Sequence, residues 1–127
     1  MTRFLAGHPE SLVMPPPPAT GDSPWVWHGA ATNTAFAGPW GTSYAINLPP
    51  AAATGIGSWT AELFVTAIRT GKHWGQSRPI LPPMPWSAYA QLTDDDLKAV
   101  YAYLRTVPPI RNQAPDAVLA ATPAAGP

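Results

Sequence analysis

Proline is the residue that most limits what this chain can become. It stands at 18 of the 127 positions, and each proline fixes its own φ, withholds a backbone donor and restricts the residue before it. The stretch MPPPPATGDSP, residues 14–24, can therefore be neither helix nor central strand, and polyproline-type extended chain is expected there. RPILPPMPW, residues 78–86, carries four prolines in nine residues. Its backbone is nearly immobile before any tertiary contact forms. One methionine, Met84, sits between two of those prolines.

Helices are expected where proline is absent. SWTAELFVTAIRTG, residues 58–71, opens with two candidate caps, Ser58 and Thr60, and places Glu62 in the first turn, where the helix dipole favours an anion. Leu63, Phe64, Ala67 and Ile68 make one apolar stripe, and Gly71 is placed to end the helix in the left-handed conformation. TDDDLKAVYAYLRTVPP, residues 93–109, gives the strongest pattern. Thr93 caps it, Asp96 stands where a capping-box acid would, and Leu97, Val100, Tyr101 and Leu104 recur at helical spacing until Pro108 and Pro109 stop it. A short helical turn with Pro85 in its first position is expected over PWSAYAQL. Residues 25–57 mix aromatics with Gly, Asn and Thr and show no sustained period. Short turns pinned by buried aromatics are expected there, and an all-α domain of two or three helices with long irregular loops follows. Three stretches divide the chain: an irregular Pro-rich segment over 1–24, a compact part over 25–110, and a Pro/Ala-rich tail over 111–127.

Composition narrows the function. Charged residues are 11% of the chain and the formal net charge is zero, so there is no basic field to hold a phosphate backbone, and nucleic-acid binding is not expected. The absence of cysteine excludes disulfides, zinc–thiolate sites and iron–sulfur clusters within these residues. No apolar run reaches the length of a membrane helix, and the first residues lack the apolar core of a signal peptide. Read literally, the polypeptide is soluble and not exported. Two amphipathic helices in about 60 compact residues bury little by themselves, and small domains need a further staple, cofactor or partner.

Met84 is the first candidate for chemistry. A methionine can simply fill an apolar gap. A thioether is also a soft donor that needs imposed geometry to bind a metal, which a rigid loop supplies, and Ile80 and Trp86 offer an apolar wall. Arg78 stands beside the same loop, where it could pair with a buried anion. Trp59 at a helix start is a core residue whose indole could also donate to a carboxylate. His8, His28 and His73 form no metal-helix spacing with each other or with acids. Asp94, Asp95 and Asp96 are explained by helix N-terminal electrostatics. No nucleophile–base spacing, phosphate loop or paired-carboxylate pattern is present.

AGPWGTSYAINL, then TGIGSWTAELFVTAIRTGKH, then RPILPPMPWSAYAQLTDDDLKAVYAYLRTVPPI together resemble the C-terminal part of a class I c-type cytochrome domain. The resemblance runs from about Phe4 to Ile110 and points to bacterial periplasmic cytochromes, including those that accept electrons from membrane dehydrogenases. It implies a small cytochrome c-like domain over 25–110. In that family a Cys-x-x-Cys-His motif attaches haem c covalently and its histidine is one axial ligand. The other is the methionine of the proline-rich loop, here Met84. Positions matching Arg78 and Trp59 lie where the haem propionates are met, with Ile80 and Trp86 as apolar neighbours, and helix 93–107 would pack across the helix bearing the cysteines.

This chain departs from the family in having no cysteine, so thioether attachment is impossible here, and the cysteine-bearing helix and its histidine are missing. A truncated product, or an internal methionine read as the start, is the expectation, and it would account for the missing export signal of a periplasmic protein. The implied function is electron transfer, as a carrier or a domain of an oxidoreductase complex and not an enzyme in itself, with a dehydrogenase or another cytochrome as redox partner. Two alternatives stand beside it. One is a haem-free fragment whose exposed Trp and Tyr dock a partner. The other is non-covalent haem held by Met84 with His8, His28 or His73.

Overall fold

The structure is a computed structural model that describes residues 3–18 and 27–120. The extended chain expected over 14–24 can be followed only to Pro18, and up to there it carries no regular hydrogen-bonded structure. Its remainder, and the end of the expected tail, lie outside the described residues.

Both long helices form where their caps and stripes place them. Helix α1 spans Ala61–Thr70. The Thr60 hydroxyl accepts from the Leu63 N–H at 3.1 Å, which satisfies one of the orphan donors of the first turn. Gly71 closes the helix with φ 66°, its N–H returning to the Ala67 carbonyl. Only glycine suits this position, because a Cβ would lie 2.3 Å from the Trp86 ring. A short helix, α2, runs Trp86–Tyr89, with Pro85 just outside it as the N-cap residue and not its first member. Helix α3 spans Asp94–Thr106 and is capped by Thr93, whose hydroxyl accepts from the Asp96 N–H at 3.1 Å. Its last turn ends at Val107, before Pro108.

Helix α1 packs on α3 around Ile56, Trp59, Phe64, Ala67, Ile68, Leu97 and Leu104, all buried. Tyr101 extends from α3 to donate to the Trp59 carbonyl at 2.5 Å. Arg69 bonds both the Ala90 carbonyl and the Asp94 carboxylate, tying the end of α1 to the start of α3.

The all-α expectation is overturned by a four-stranded antiparallel sheet: β1 His28–Gly29, β2 Ala35–Gly38, β3 Gly41–Tyr44 and β4 Val118–Leu119, in spatial order β1-β2-β3-β4. Strands β2 and β3 form a tight hairpin with Gly38 opposite Gly41. Gly41 holds φ 110°, and a Cβ there would lie 2.0 Å from the Val118 carbonyl of the neighbouring strand. The strands are two to four residues long, and the central pair, AFAG and GTSY, mixes one aromatic each with small residues. They carry almost no period-2 hydrophobic signal, because their stability comes from the ladder and its neighbours more than from an apolar face.

A polar clamp joins the two ends of the described chain. Asn112 is fully buried; its amide donates to the Ala6 and His8 carbonyls, each at 2.8 Å, and its carbonyl accepts from the Glu10 N–H at 3.0 Å. The Glu10 carboxylate in turn accepts from the Gln113 N–H at 2.9 Å. With all of these groups paired, an N-terminal strap over 5–12 is fixed against the chain that follows α3.

Candidate functional site

The proline loop leaves α1 through a narrow hairpin. Lys72 pairs with Pro79 in an isolated bridge, the His73 N–H donates to the Arg78 carbonyl at 2.9 Å, and the Ile80 N–H donates to the Gly71 carbonyl at 2.8 Å. Trp74, inside this hairpin, holds φ 58°, a conformation that side chains rarely adopt. Its ring lies against Trp59 at 4.9 Å between centroids. Beyond Ile80 the loop turns on itself, the Met84 N–H reaching the Leu81 carbonyl at 3.3 Å.

The loop forms one wall of a cavity of about 720 Å³, within the range of roughly 300–1,000 Å³ typical of small-molecule and cofactor sites. Phe64, Ala67 and Ile68 of α1 and Leu97, Val100 and Leu104 of α3 line it from one side, and Phe36, Ser43 and Tyr44 of the hairpin from another. The lining is overwhelmingly apolar, yet the cavity opens to solvent. Met84 is 41% exposed and Val100 44%. The methionine is therefore not turned into a closed interior, but faces a space that its own loop helps to shape.

Of the residues singled out from sequence, Met84, Ile80, Arg78 and Trp59 all line this cavity. Trp86 does not. Its ring covers Gly71 at the end of α1, because α2 begins at this residue and carries it away from the cavity.

A second, more polar compartment of about 470 Å³ adjoins the first and shares Trp59, His73 and Arg78 with it, while Asn47, Thr54 and Asp116 line its far side. Arg78 and Trp59 thus stand where apolar and polar spaces meet. Asn47 is buried there with its carbonyl oxygen unpartnered, although its amide donates to Thr54 and to the Ile110 carbonyl.

The three histidines separate cleanly. His8 is fully buried, with its ring nitrogens bonded to the Thr34 hydroxyl at 2.9 Å and the Leu12 carbonyl at 2.8 Å. His28 lies in β1 with a buried, unpartnered Nδ1, away from the cavity lining. His73 alone of the three lines the cavity, edge-on to Trp59 at 5.5 Å. Burial, and then the charge of Arg78, hold its imidazole below the ordinary value of 6.5.

A lowered folded-state value means that the unfolded chain binds this proton first on acidification. His73 therefore contributes stability that is present above 6.5 and is lost as pH falls through its folded value. The thermal midpoint is expected to drop as pH falls below about 6.5, and to drop less steeply in His73→Gln. Parallel pH profiles for the two proteins would remove His73 from this role.

Sequence reading missed the hairpin wall, Ser43 and Tyr44 above all, and the polar compartment around Asn47. The available signal was the Gly-Pro-Trp-Gly turn, residues 38–41, which closes the hairpin. Among the described residues, no three of His, Cys, Asp and Glu gather as metal ligands. No helix there is long and apolar enough to cross a membrane.

The residues present fit one face of a haem. They offer an apolar cavity, a soft thioether at its wall and a cation at its polar edge. They do not fit covalent attachment, since the chain contains no thiol.

No family model matches the chain. Three curated relatives are similar to it over about 60% of its length. The fructose dehydrogenase cytochrome subunit of Gluconobacter japonicus is 39% identical over 82 residues, covering 64% of this chain and 17% of that protein. The cytochrome c subunit of a quinone alcohol dehydrogenase from Gluconobacter oxydans is 40% identical over 81 residues, covering 61% of this chain and 17% of its own length. A nicotinate dehydrogenase component from Pseudomonas putida is 38% identical over 77 residues, covering 61% of this chain and 6% of that protein. The chain spans less than a fifth of each of these relatives.

Proposed function

We propose that this chain supplies the methionine face of a haem c site in an electron carrier that serves a dehydrogenase. The observation that carries the proposal is Met84: its thioether stands on a proline-built loop at the wall of an open, apolar cavity of about 720 Å³. The similarity to cytochrome subunits of dehydrogenases supports a carrier in place of an enzyme, with a dehydrogenase or another cytochrome as redox partner. The resemblance to periplasmic cytochromes supports, in this reading, the periplasm as its location.

Haem, when bound, supplies one-electron chemistry. The protein's part is to hold and tune it. Met84 offers a neutral, soft donor, a ligand type that favours the reduced iron and raises the potential of the site. Apolar side chains from α1 and α3 would shield one side of the site from water. Arg78 and His73, at the border of the polar compartment, face the side where acidic groups of the ligand would sit, and Trp59 closes the wall between them. In this reading, thiols for attachment and a further ligand to the iron would have to come from outside these 127 residues, which contain no cysteine.

The direct test uses a haem peptide with covalently attached haem, its own histidine on one axial face and the other face open. Mixed with the purified chain, it is expected to form a one-to-one low-spin complex with a weak sulfur-to-iron absorption in the far red. A spectrum identical to that of the free haem peptide at every protein concentration would sink the proposal.

A further inference from the structure

The bonding of the proline loop assigns a role to a residue on the opposite wall. Pro79, Pro82, Pro83 and Pro85 bring no N–H, so between Pro79 and Pro85 only Ile80, Leu81 and Met84 can donate from the backbone. Ile80 is tied to Gly71, and Met84 turns back onto Leu81. Residues 81–84 must therefore be held mainly through their carbonyls. Among the described residues, the Met84 carbonyl accepts from the Trp86 N–H of the adjoining α2 at 2.9 Å, and one hydrogen bond reaches this tip from an element distant in sequence: the Ser43 hydroxyl of β3 donates to the Pro82 carbonyl at 2.7 Å.

That hydroxyl is itself held. Ser43 is 8% exposed and accepts from the Trp40 indole N–H at 3.1 Å. Its oxygen also lies 3.5 Å from the Phe36 carbonyl, but a hydroxyl has one proton, and the shorter, stronger contact takes it. Trp40 is fixed by the hairpin beneath it. A Cβ on Gly38 would meet its ring at 2.5 Å, so glycine at 38 lets the indole lie flat across the turn. The order of support runs from Gly38 through Trp40 and Ser43 to Pro82, two residues before Met84.

We infer that Ser43 is a positioning residue for Met84: through the Pro82 carbonyl it sets where the loop presents the thioether to the cavity. The inference rests on the haem reading above only for its purpose; the positioning itself is a property of the chain without any ligand. A serine that merely supported the sheet would lower stability on removal and leave the methionine where it is.

Methyl NMR of the full chain, labelled at the methionine methyls and free of haem, separates the two. The chain has three methionines, and Met84→Leu identifies the signal of Met84. In Ser43→Ala the Met84 methyl is expected to broaden and move toward its random-coil position while the Met14 signal stays. Ser43→Thr, which keeps the hydroxyl, is expected to restore it. Affinity for the haem peptide should fall by roughly five- to tenfold in Ser43→Ala, as expected for loss of one buried hydrogen bond.

An unmoved Met84 signal in a Ser43→Ala chain of lowered melting temperature would overturn the inference. Should Ser43→Ala fail to fold, Trp40→Phe, which keeps an aromatic ring and removes the indole donor, decides by the same criterion. Failure of the haem reading would show differently: the wild-type chain would leave the haem peptide spectrum unchanged while the methyl result stood.

Discussion

Gly7→Ala is expected to destabilise the chain by about 3 kcal/mol or more, measured by urea unfolding. Gly7 holds φ 80°, where an L side chain is strained whatever the space around it. Space is lacking too. A Cβ would lie 2.3 Å from the Ala45 carbonyl oxygen and 2.5 Å from that of Ile46, and both are backbone atoms with no rotamer by which to yield. The neighbours cannot yield either. The His8 N–H is bonded to the Ala45 carbonyl at 2.9 Å and the Leu48 N–H to that of Leu5 at 3.1 Å. Asn112 grips the carbonyls on both sides of Gly7 from the far end of the described chain. Moving the strap to admit a methyl group would break these bonds in buried surroundings, where each unpaired group costs about 1–3 kcal/mol. Gly29→Ala is the control: its Cβ would meet Trp27 at 3.4 Å and Phe36 at 3.6 Å, ordinary contacts, and its stability is expected to stay close to wild type. A Gly7→Ala chain within about 1 kcal/mol of wild type, below the ordinary cost of a strained backbone position, would show that the strap does not constrain the fold.

The same strap shows where sequence reading stops. Helices α1 and α3 were legible because their signals are local: Thr60 and Thr93 cap bonds three residues away, Gly71 ends one helix, and Pro108 follows the other. The strap depends on Asn112, which bonds residues more than 100 positions earlier, and nothing in the run RNQAPD marks one asparagine as buried. The sheet was hidden for a different reason. Strands of two to four residues are too short to show an apolar alternation, and β1 and β4 gain strand geometry only by pairing with the central hairpin.

The cavity divides along the same line. Met84, Ile80, Arg78 and Trp59 stand out in the sequence because stiffness and residue chemistry are local properties, and all four line one cavity. Trp86 was grouped with them because it is two residues from Met84, but the start of a helix is enough to turn a side chain to another neighbour. Ser43 could not be found at all. It meets the loop 39 residues away in sequence, and a serine in a weak strand advertises nothing. Small polar residues that position a ligand acquire their role only when the chain has folded.

Met84→Leu and Met84→Ala are expected to abolish the far-red absorption of the complex with the haem peptide and to weaken binding by roughly tenfold or more. Loss of the groups that merely support a metal ligand often costs a site about 10- to 100-fold in affinity, and here the donor atom itself is removed. Leucine is the informative substitution. It keeps the volume and the apolar character, and such swaps in a packed position usually cost less than about 1.5 kcal/mol. A methionine that only filled a gap would therefore be replaced by leucine with little change in either stability or binding. With Met84 41% exposed, neither variant is expected to lose much stability without the haem peptide, because the thioether is not part of the closed core between α1 and α3. The two roles thus separate on two readouts. A donor role spares the melting temperature of both variants and removes the spectral band from both, whereas a packing role leaves the band in Met84→Leu and shows its cost as lost stability in Met84→Ala. If Met84→Leu bound the haem peptide as tightly as wild type and kept the band, the sulfur would not be the ligand, and the cavity would need another explanation.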